Sequence, residues 1–266
     1  MIFQSLRRFL TGVFACIGFL FLILPIMGLL ERSLVRQAWA ALDTTLISDA
    51  ITLSFFTTGV TLLLTLIFGT SLAYILTRWR FPGRNIMNAL IELPIVLPPA
   101  VAGLALLLTL GRRTPLGMLL EQWDIILPFS LAAVVLAQCF VAAPFYIRAA
   151  IVGFQGVSRE IEDAARVDGA DETTLFFRVT LPLAAPSLGA GLVLCWARAL
   201  GEFGATILFA GSLPGRTQTM PLLIYNILER DIDTAISTGL LLIGLALVAL
   251  LLSQWLRMRA EQQSST

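Results

Sequence analysis

Six apolar runs, at residues 9–30, 53–77, 86–110, 127–147, 183–211 and 235–256, leave this chain little choice of fold. A helix that crosses a bilayer needs about 20 mainly apolar residues, and within the hydrocarbon each backbone amide must find its partner inside the protein. The pattern therefore predicts an all-α polytopic membrane protein with six transmembrane helices. A single transmembrane domain over residues 1–266 accounts for the length, because no linker, low-complexity tract or regulatory segment interrupts the runs.

Composition agrees, with 58% hydrophobic and only 13% charged residues, against roughly 25% charged in soluble domains. The 18 cations are all arginine and face 17 acids, so a net charge of +1 gives no reason to invoke nucleic acid. Without histidine or lysine the chain lacks imidazole ligands and lysine bases. Cys16, Cys139 and Cys195 each stand alone in an apolar run and read as small core residues.

The first run follows Arg7 and Arg8 in the manner of a signal peptide, and Ala38 and Ala40 imitate a cleavage site. Its length exceeds the roughly 7–15 residues of a signal core, so it reads as an uncleaved anchor. Arginine placement then sets the orientation. One side holds Arg7, Arg8, Arg78, Arg80, Arg84, Arg148, Arg159, Arg166, Arg178, Arg257 and Arg259, and the other Arg32, Arg36, Arg112, Arg113, Arg216 and Arg230. The heavier side is the cytoplasmic one, which puts both termini inside. Trp39, Trp79, Trp123 and Trp255 fall at run ends, where an interfacial aromatic belt belongs.

One polar segment, residues 154–182, interrupts the membrane pattern on the cytoplasmic side. Ser158 is placed to cap a helix whose first turns carry Glu160, Glu162 and Asp163, and Gly169 to stop it. Asp171 then caps a second short helix that runs through Leu175, Phe176 and Phe177 until Pro182. Ile161, Ala164, Ala165 and Asp168 share one face of the first helix, and its alanines permit close approach by another surface.

The residues Asp163, Ala164, Ala165, Gly169, Val179, Leu181 and Pro182 resemble the EAA loop of the membrane subunits of bacterial ABC importers. Asp163 stands where that family usually has glutamate, with Glu162 next door as a longer acid. The resemblance implies a type I importer permease fold in the bacterial inner membrane. It implies that Glu160, Glu162, Asp163, Ala164, Ala165, Asp168, Gly169 and Ala170 form a coupling helix that docks into a separate ATPase. The implied assembly is two copies of this chain, two cytoplasmic ATPase subunits and an extracytoplasmic solute-binding protein. ATP and magnesium would belong to the ATPase, since this chain has neither a phosphate-binding loop nor a lysine to complete one.

Charged or helix-breaking residues inside spans mark the path through the membrane. Arg198 and Glu202 are four apart in the fifth run, about 6 Å along a helix axis, and either neutralise one another or line the path with Phe203. Pro94, Pro98 and Pro99 must kink or break the third run, which reads as a gate-forming helix. Glu92 nearby is expected to bond freed amides or an arginine such as Arg84, and Pro144 to kink the fourth run. Hydroxyls at Thr57, Thr58, Thr61 and Thr65 are expected to bond back onto their own helix.

Residues 92–117 and 197–225 are similar to the molybdate importer permeases, whose close relatives carry sulfate, and GRTQT at residues 215–219 favours molybdate. That resemblance implies an oxyanion cargo, with tungstate and sulfate as alternatives. Arg112, Arg113 and Arg216 on the outer face suit an oxyanion or an acidic patch on a delivering protein, or are solvated loop residues. Thr114 replaces an expected glycine, which predicts a different outer turn. A self-sufficient ion-coupled carrier is the alternative class. It needs titratable groups in mid-membrane, for which only Arg198 and Glu202 qualify. An intramembrane enzyme lacks its usual constellations.

Overall fold

The computed structural model describes residues 2–35 and 44–264, and among them every regular element is helical. Trp39 and the small residues of the possible cleavage site lie outside the described residues. Helix α1 (Ile2–Val35) lies along the last helix and exposes an apolar flank, with Phe14 and Phe21 outward, as a lipid-solvated helix does. Helix α2 (Thr44–Leu64) passes through a π turn (Thr65–Gly69) into α3 (Thr70–Arg78), and the three make one 34-residue apolar helix, Thr45–Arg78.

The third apolar run is broken outright. The chain bends by 115° between helices α4 (Arg84–Val96) and α5 (Pro99–Leu110). Leu97 (ψ 134°) and Pro98 (ψ 132°) are both extended, because each precedes a proline whose ring disfavours the helical region. Pro99 then starts α5, where its missing N–H costs nothing. Pro94, by contrast, stays inside α4.

Helix α6 (Pro115–Glu121) is capped by Thr114, whose hydroxyl accepts the Gly117 amide at 3.0 Å. The residue that departs from the expected glycine is thus the cap of a short extra helix. Helix α7 (Leu131–Gly156) starts later than the apolar run because Ser130 caps it after Pro128, accepting the Ala133 amide at 3.2 Å. It runs through Pro144 without a break.

Helices α8 (Arg159–Val167) and α9 (Glu172–Leu175) form the polar hairpin. A second π turn (Phe176–Thr180) joins α9 directly to α10 (Leu181–Leu200), so Pro182 does not end the helix as expected. That proline falls in the first turn after the π segment, where the ladder is already shifted, and Glu172–Leu200 continues as one helix of 29 residues. The fifth run ends at Leu200 rather than 211. Gly201 closes α10, and short α11 (Gly204–Phe209) follows. Helices α12 (Met220–Leu228) and α13 (Ile232–Ser264) complete the chain.

Among the described residues four helices are long and apolar enough to cross a bilayer, or five with the bent pair as one span; α13 contributes a shorter apolar stretch, Ile232–Val248. Helix α7 is the axis of the bundle. Its Tyr146, Ala150 and Phe154 are fully buried against Ala184, Leu188 and Cys195 of α10. Small residues bring the two together: a Cβ on Gly153 would lie 2.8 Å from Ser187 Cβ, and one on Gly191 2.6 Å from Ala149 Cβ. Buried Gln138 on α7 links to Thr61 at 3.0 Å and Thr57 at 3.2 Å, while Thr57 and Thr58 also bond back to their own helix as expected.

Candidate functional site

The polar hairpin is built by local capping. Ser158 accepts the Glu160 amide at 3.2 Å to start α8. Gly169 ends it at φ +90°, and the turn closes with Ala170 N–H on Ala165 O at 3.0 Å. Asp171 accepts the Thr174 amide at 3.1 Å to start α9, and its bonds to Thr174 hold the carboxyl below its usual value. Arg166 clasps the two helices, with Nε 2.9 Å from Glu172 and Nη1 2.8 Å from Asp163. The hydrogen bond to Glu172 leads in raising the guanidinium above its ordinary pKa.

This bracing leaves one side of α8 outward. Glu160, Asp163, Ala164, Asp168 and Gly169 are exposed, Ala165 and Ala170 half-buried, and the apolar side chains of Ile161 and Val167 stand 48% and 87% exposed. Glu162 is the exception among the expected docking residues. It is 2% exposed and turned inward, its Oε1 accepting from Arg78 Nη2 at 2.7 Å and Thr180 Oγ1 at 2.8 Å. It therefore does not substitute for Asp163 on the outer face, because the two adjacent residues lie about 100° apart around the helix.

The residues expected to line the membrane path converge on two helix breaks in contact. Gly204 of α11 sits on Pro99 of α5, and a Cβ on Gly204 would fall 2.7 Å from Pro99 Cβ. Arg198 Nη2 lies 2.8 Å from Glu202 Oε2, so the expected pair forms. However, Glu202 is beyond the end of α10, and its Oε1 accepts the Ala205 amide at 2.8 Å, capping the helix that restarts there. Phe203 packs on Tyr225, centroids 5.0 Å apart. Pro94 and Pro98 remain on the α4 and α5 sides of the bend. Glu92 pairs with Arg148 of α7 at 2.7 Å rather than with Arg84.

At the other end of α7 a cavity of about 740 Å³ is lined by Arg112, Arg113 and Arg216, with Thr114, Phe129 and Ser130. Ser130 precedes the first residue of α7 and Val157 follows its last, so the cavity and the hairpin lie at opposite ends of a 26-residue helix, about 39 Å long. The arginines read as outer thus gather on one face, with no acid among the cavity's lining residues. Thr217, Gln218 and Thr219 are buried next to it: the Thr217 hydroxyl accepts the Leu213 amide at 3.0 Å and Gln218 bonds Ser212 at 3.2 Å. That segment shapes the turn, and only Arg216 of it reaches the cavity.

An all-helical bundle with at least four helices of membrane length among the described residues, one braced helix pair at its polar end and two touching helix breaks within has the build of a multi-pass membrane protein. The chain belongs to the family described as binding-protein-dependent transport system inner membrane component, whose sequence pattern matches residues 65–262. It is 39% identical over 211 residues to the molybdenum transport system permease protein of Escherichia coli (strain K12), covering 78% of this chain and 92% of that one. It is 38% identical over 219 residues to the sulfate transport system permease protein of Synechococcus elongatus, covering 82% and 77%. A bacterial alginate ABC transporter, solved with an alginate-bound periplasmic protein, shares the fold at TM-score 0.75 and 17% identity, covering 97% of each chain. The protein is a multi-pass ABC importer permease of the inner membrane.

Arg78, Thr180, Arg148 and Gln138 were not singled out as functional by sequence reasoning. Arg78 and Arg148 counted only toward orientation. The sequence signal for Gln138 was an amide inside an apolar run.

Proposed function

We propose that the chain imports molybdate as the membrane subunit of an ATP-driven importer. It acts as a single permease domain, in a homodimer with both termini cytoplasmic, two ATPase subunits and an extracytoplasmic solute-binding protein. The observation that carries this reading is the outward face of α8. It places Ile161, Ala164 and Val167 in water on a hairpin braced from behind, which is costly unless a partner covers them. ATP and magnesium are the partner's to bind.

The hairpin continues without a break into Glu172–Leu200, a lever of 29 residues or about 43 Å. Displacement of α8 by a closing ATPase pair travels along this lever to Gly201, where the helix stops, and shifts Gly204 against Pro99. The opening alternates between the two faces of the membrane in step with that motion. Glu202 is held by Arg198 and Ala205, an arrangement that favours a fixed ion pair over a proton-coupled carrier.

The molybdenum relative and the arginine-lined cavity support a dianionic oxyanion. The cavity also suits an acidic patch on the delivering protein. The sulfate relative keeps sulfate as the second reading. The test is ATPase stimulation of the reconstituted complex by binding protein loaded with molybdate, tungstate or sulfate. Stimulation by molybdate is expected. Stimulation by sulfate alone would overturn the cargo, and uptake driven by a proton gradient without ATP would overturn the class.

A further inference from the structure

Three segments distant in sequence meet at one buried carboxylate, that of Glu162. Arg78 ends the helix Thr45–Arg78, and its Nη2 reaches Glu162 Oε1 of α8 at 2.7 Å and Val157 O, just past α7, at 3.4 Å. The same Glu162 oxygen accepts from Thr180 at 2.8 Å, the last residue of the π turn that leads into α10. All three side chains are inside the protein: Thr180 is fully buried, and the Arg78 and Glu162 side chains are 11% and 3% exposed. Beside them Tyr74, Phe154 and Phe176 pack edge to face, with Tyr74 5.6 Å from Phe154 and 4.9 Å from Phe176.

A buried ion pair is a poor way to add stability, because desolvating both charges costs about as much as their attraction returns, and apolar replacements of similar volume are often as stable. Its geometric effect is different. Removing one partner strands a charge, so the segments are held in one register or they separate. Of α8, only Glu162 is buried. It is therefore the one side chain of that helix anchored within the bundle, while Ile161, Ala164 and Val167 face away.

We propose that Arg78, Glu162 and Thr180 form a positioning strut that makes the hairpin move as one body with the second and fifth apolar helices. This rests on the importer reading above. The strut contributes nothing to the docking face itself. It converts docking into motion of two membrane helices at once, at their cytoplasmic ends. Without it α8 still meets its partner, but part of the displacement is lost in the hairpin.

The test compares the whole complex in proteoliposomes with wild-type chain, Arg78→Gln, Thr180→Val and Thr180→Ser, using the chain's own ATPase and molybdate-loaded binding protein. Two quantities are read: ATPase subunit retained per permease after detergent purification, and molybdate taken up per ATP hydrolysed. Thr180→Val keeps shape and ion pair, so it guards against a folding failure of Arg78→Gln. Expected is wild-type ATPase retention in Thr180→Val and Arg78→Gln, uptake per ATP lower by about tenfold, within the usual range of coupling energies, and recovery in Thr180→Ser. Wild-type uptake per ATP in Thr180→Val, or loss of ATPase retention in step with uptake, overturns the strut. If the wild-type complex itself shows no ATP-dependent uptake, the importer reading fails instead, before any variant is compared.

Discussion

Gly103 of α5 lies so close to Ala205 of α11 that a Cβ at position 103 would fall 2.6 Å from Ala205 O and 2.8 Å from its Cα. Pro99, one helical turn earlier, meets Gly204 in the same way. The broken third run is therefore held against the restart of the fifth by backbone contact, the small-residue packing of bilayer helices. Gly103→Val must push the two helices apart, at about 1–3 kcal/mol for overpacking. A fall in melting temperature in detergent checks this, with Gly59→Ala, which meets nothing within 4 Å, unchanged as the control.

Glu202 ties the same junction by its two oxygens, one on Ala205 and one facing Arg198. Glu202→Ala leaves the half-buried Arg198 uncompensated and uncaps α11. A buried pair broken on one side costs about 3–5 kcal/mol. The double variant Arg198→Leu/Glu202→Leu should be more stable than Glu202→Ala in a detergent melt, since it removes both charges. Equal melting of the two would mean that the Ala205 cap, rather than the pair, carries the effect.

The hairpin was legible in the sequence because its determinants are local: Ser158, Gly169 and Asp171 act within a few residues of themselves. Pro98 and Pro99 announced the break in the same way, although the 115° angle depends on what α5 packs against. The pair Arg198 and Glu202 was legible by spacing, but that spacing presumed a continuous helix, and the end of α10 at Leu200 gave the glutamate a second duty. Least legible was the inward turn of Glu162. Its partner Arg78 lies 84 residues away, and adjacent acids at 162 and 163 look alike until the bundle decides which one faces in.

Gly169 holds φ +90°, where side chains are strained whatever the space around them. Gly169→Val should cost about 1–3 kcal/mol locally and unseat the α8 to α9 turn while the membrane bundle stays folded. The expected readout is loss of ATPase subunit from the purified complex, with an unchanged far-ultraviolet helical signal. Retained association and transport would contradict the assigned role of the hairpin.

Asp171 is bonded to Thr174 in the folded state, so its carboxyl titrates below its value of about 3.9 in unfolded chains. A depressed folded value means that the cap's contribution is complete above the unfolded value and is lost as pH falls through the folded one. The carboxyl carbon shift, followed by NMR in nanodiscs, should show a midpoint below that of an unstructured aspartate. Asp171→Asn keeps an acceptor but should abolish this titration.

The most direct measurement of the central claim is site-specific crosslinking of the assembled complex, with Cys16, Cys139 and Cys195 replaced by serine and one cysteine introduced at a time. Cysteine at Ala164 or Val167, on the outward face of α8, should capture the ATPase subunit, with yield changing between nucleotide-free and ATP-bound states. Cysteine at Met118, exposed on α6 at the other end of the bundle, should not. Capture of the ATPase from Met118, or none from either α8 position in a complex that hydrolyses ATP, would contradict the account.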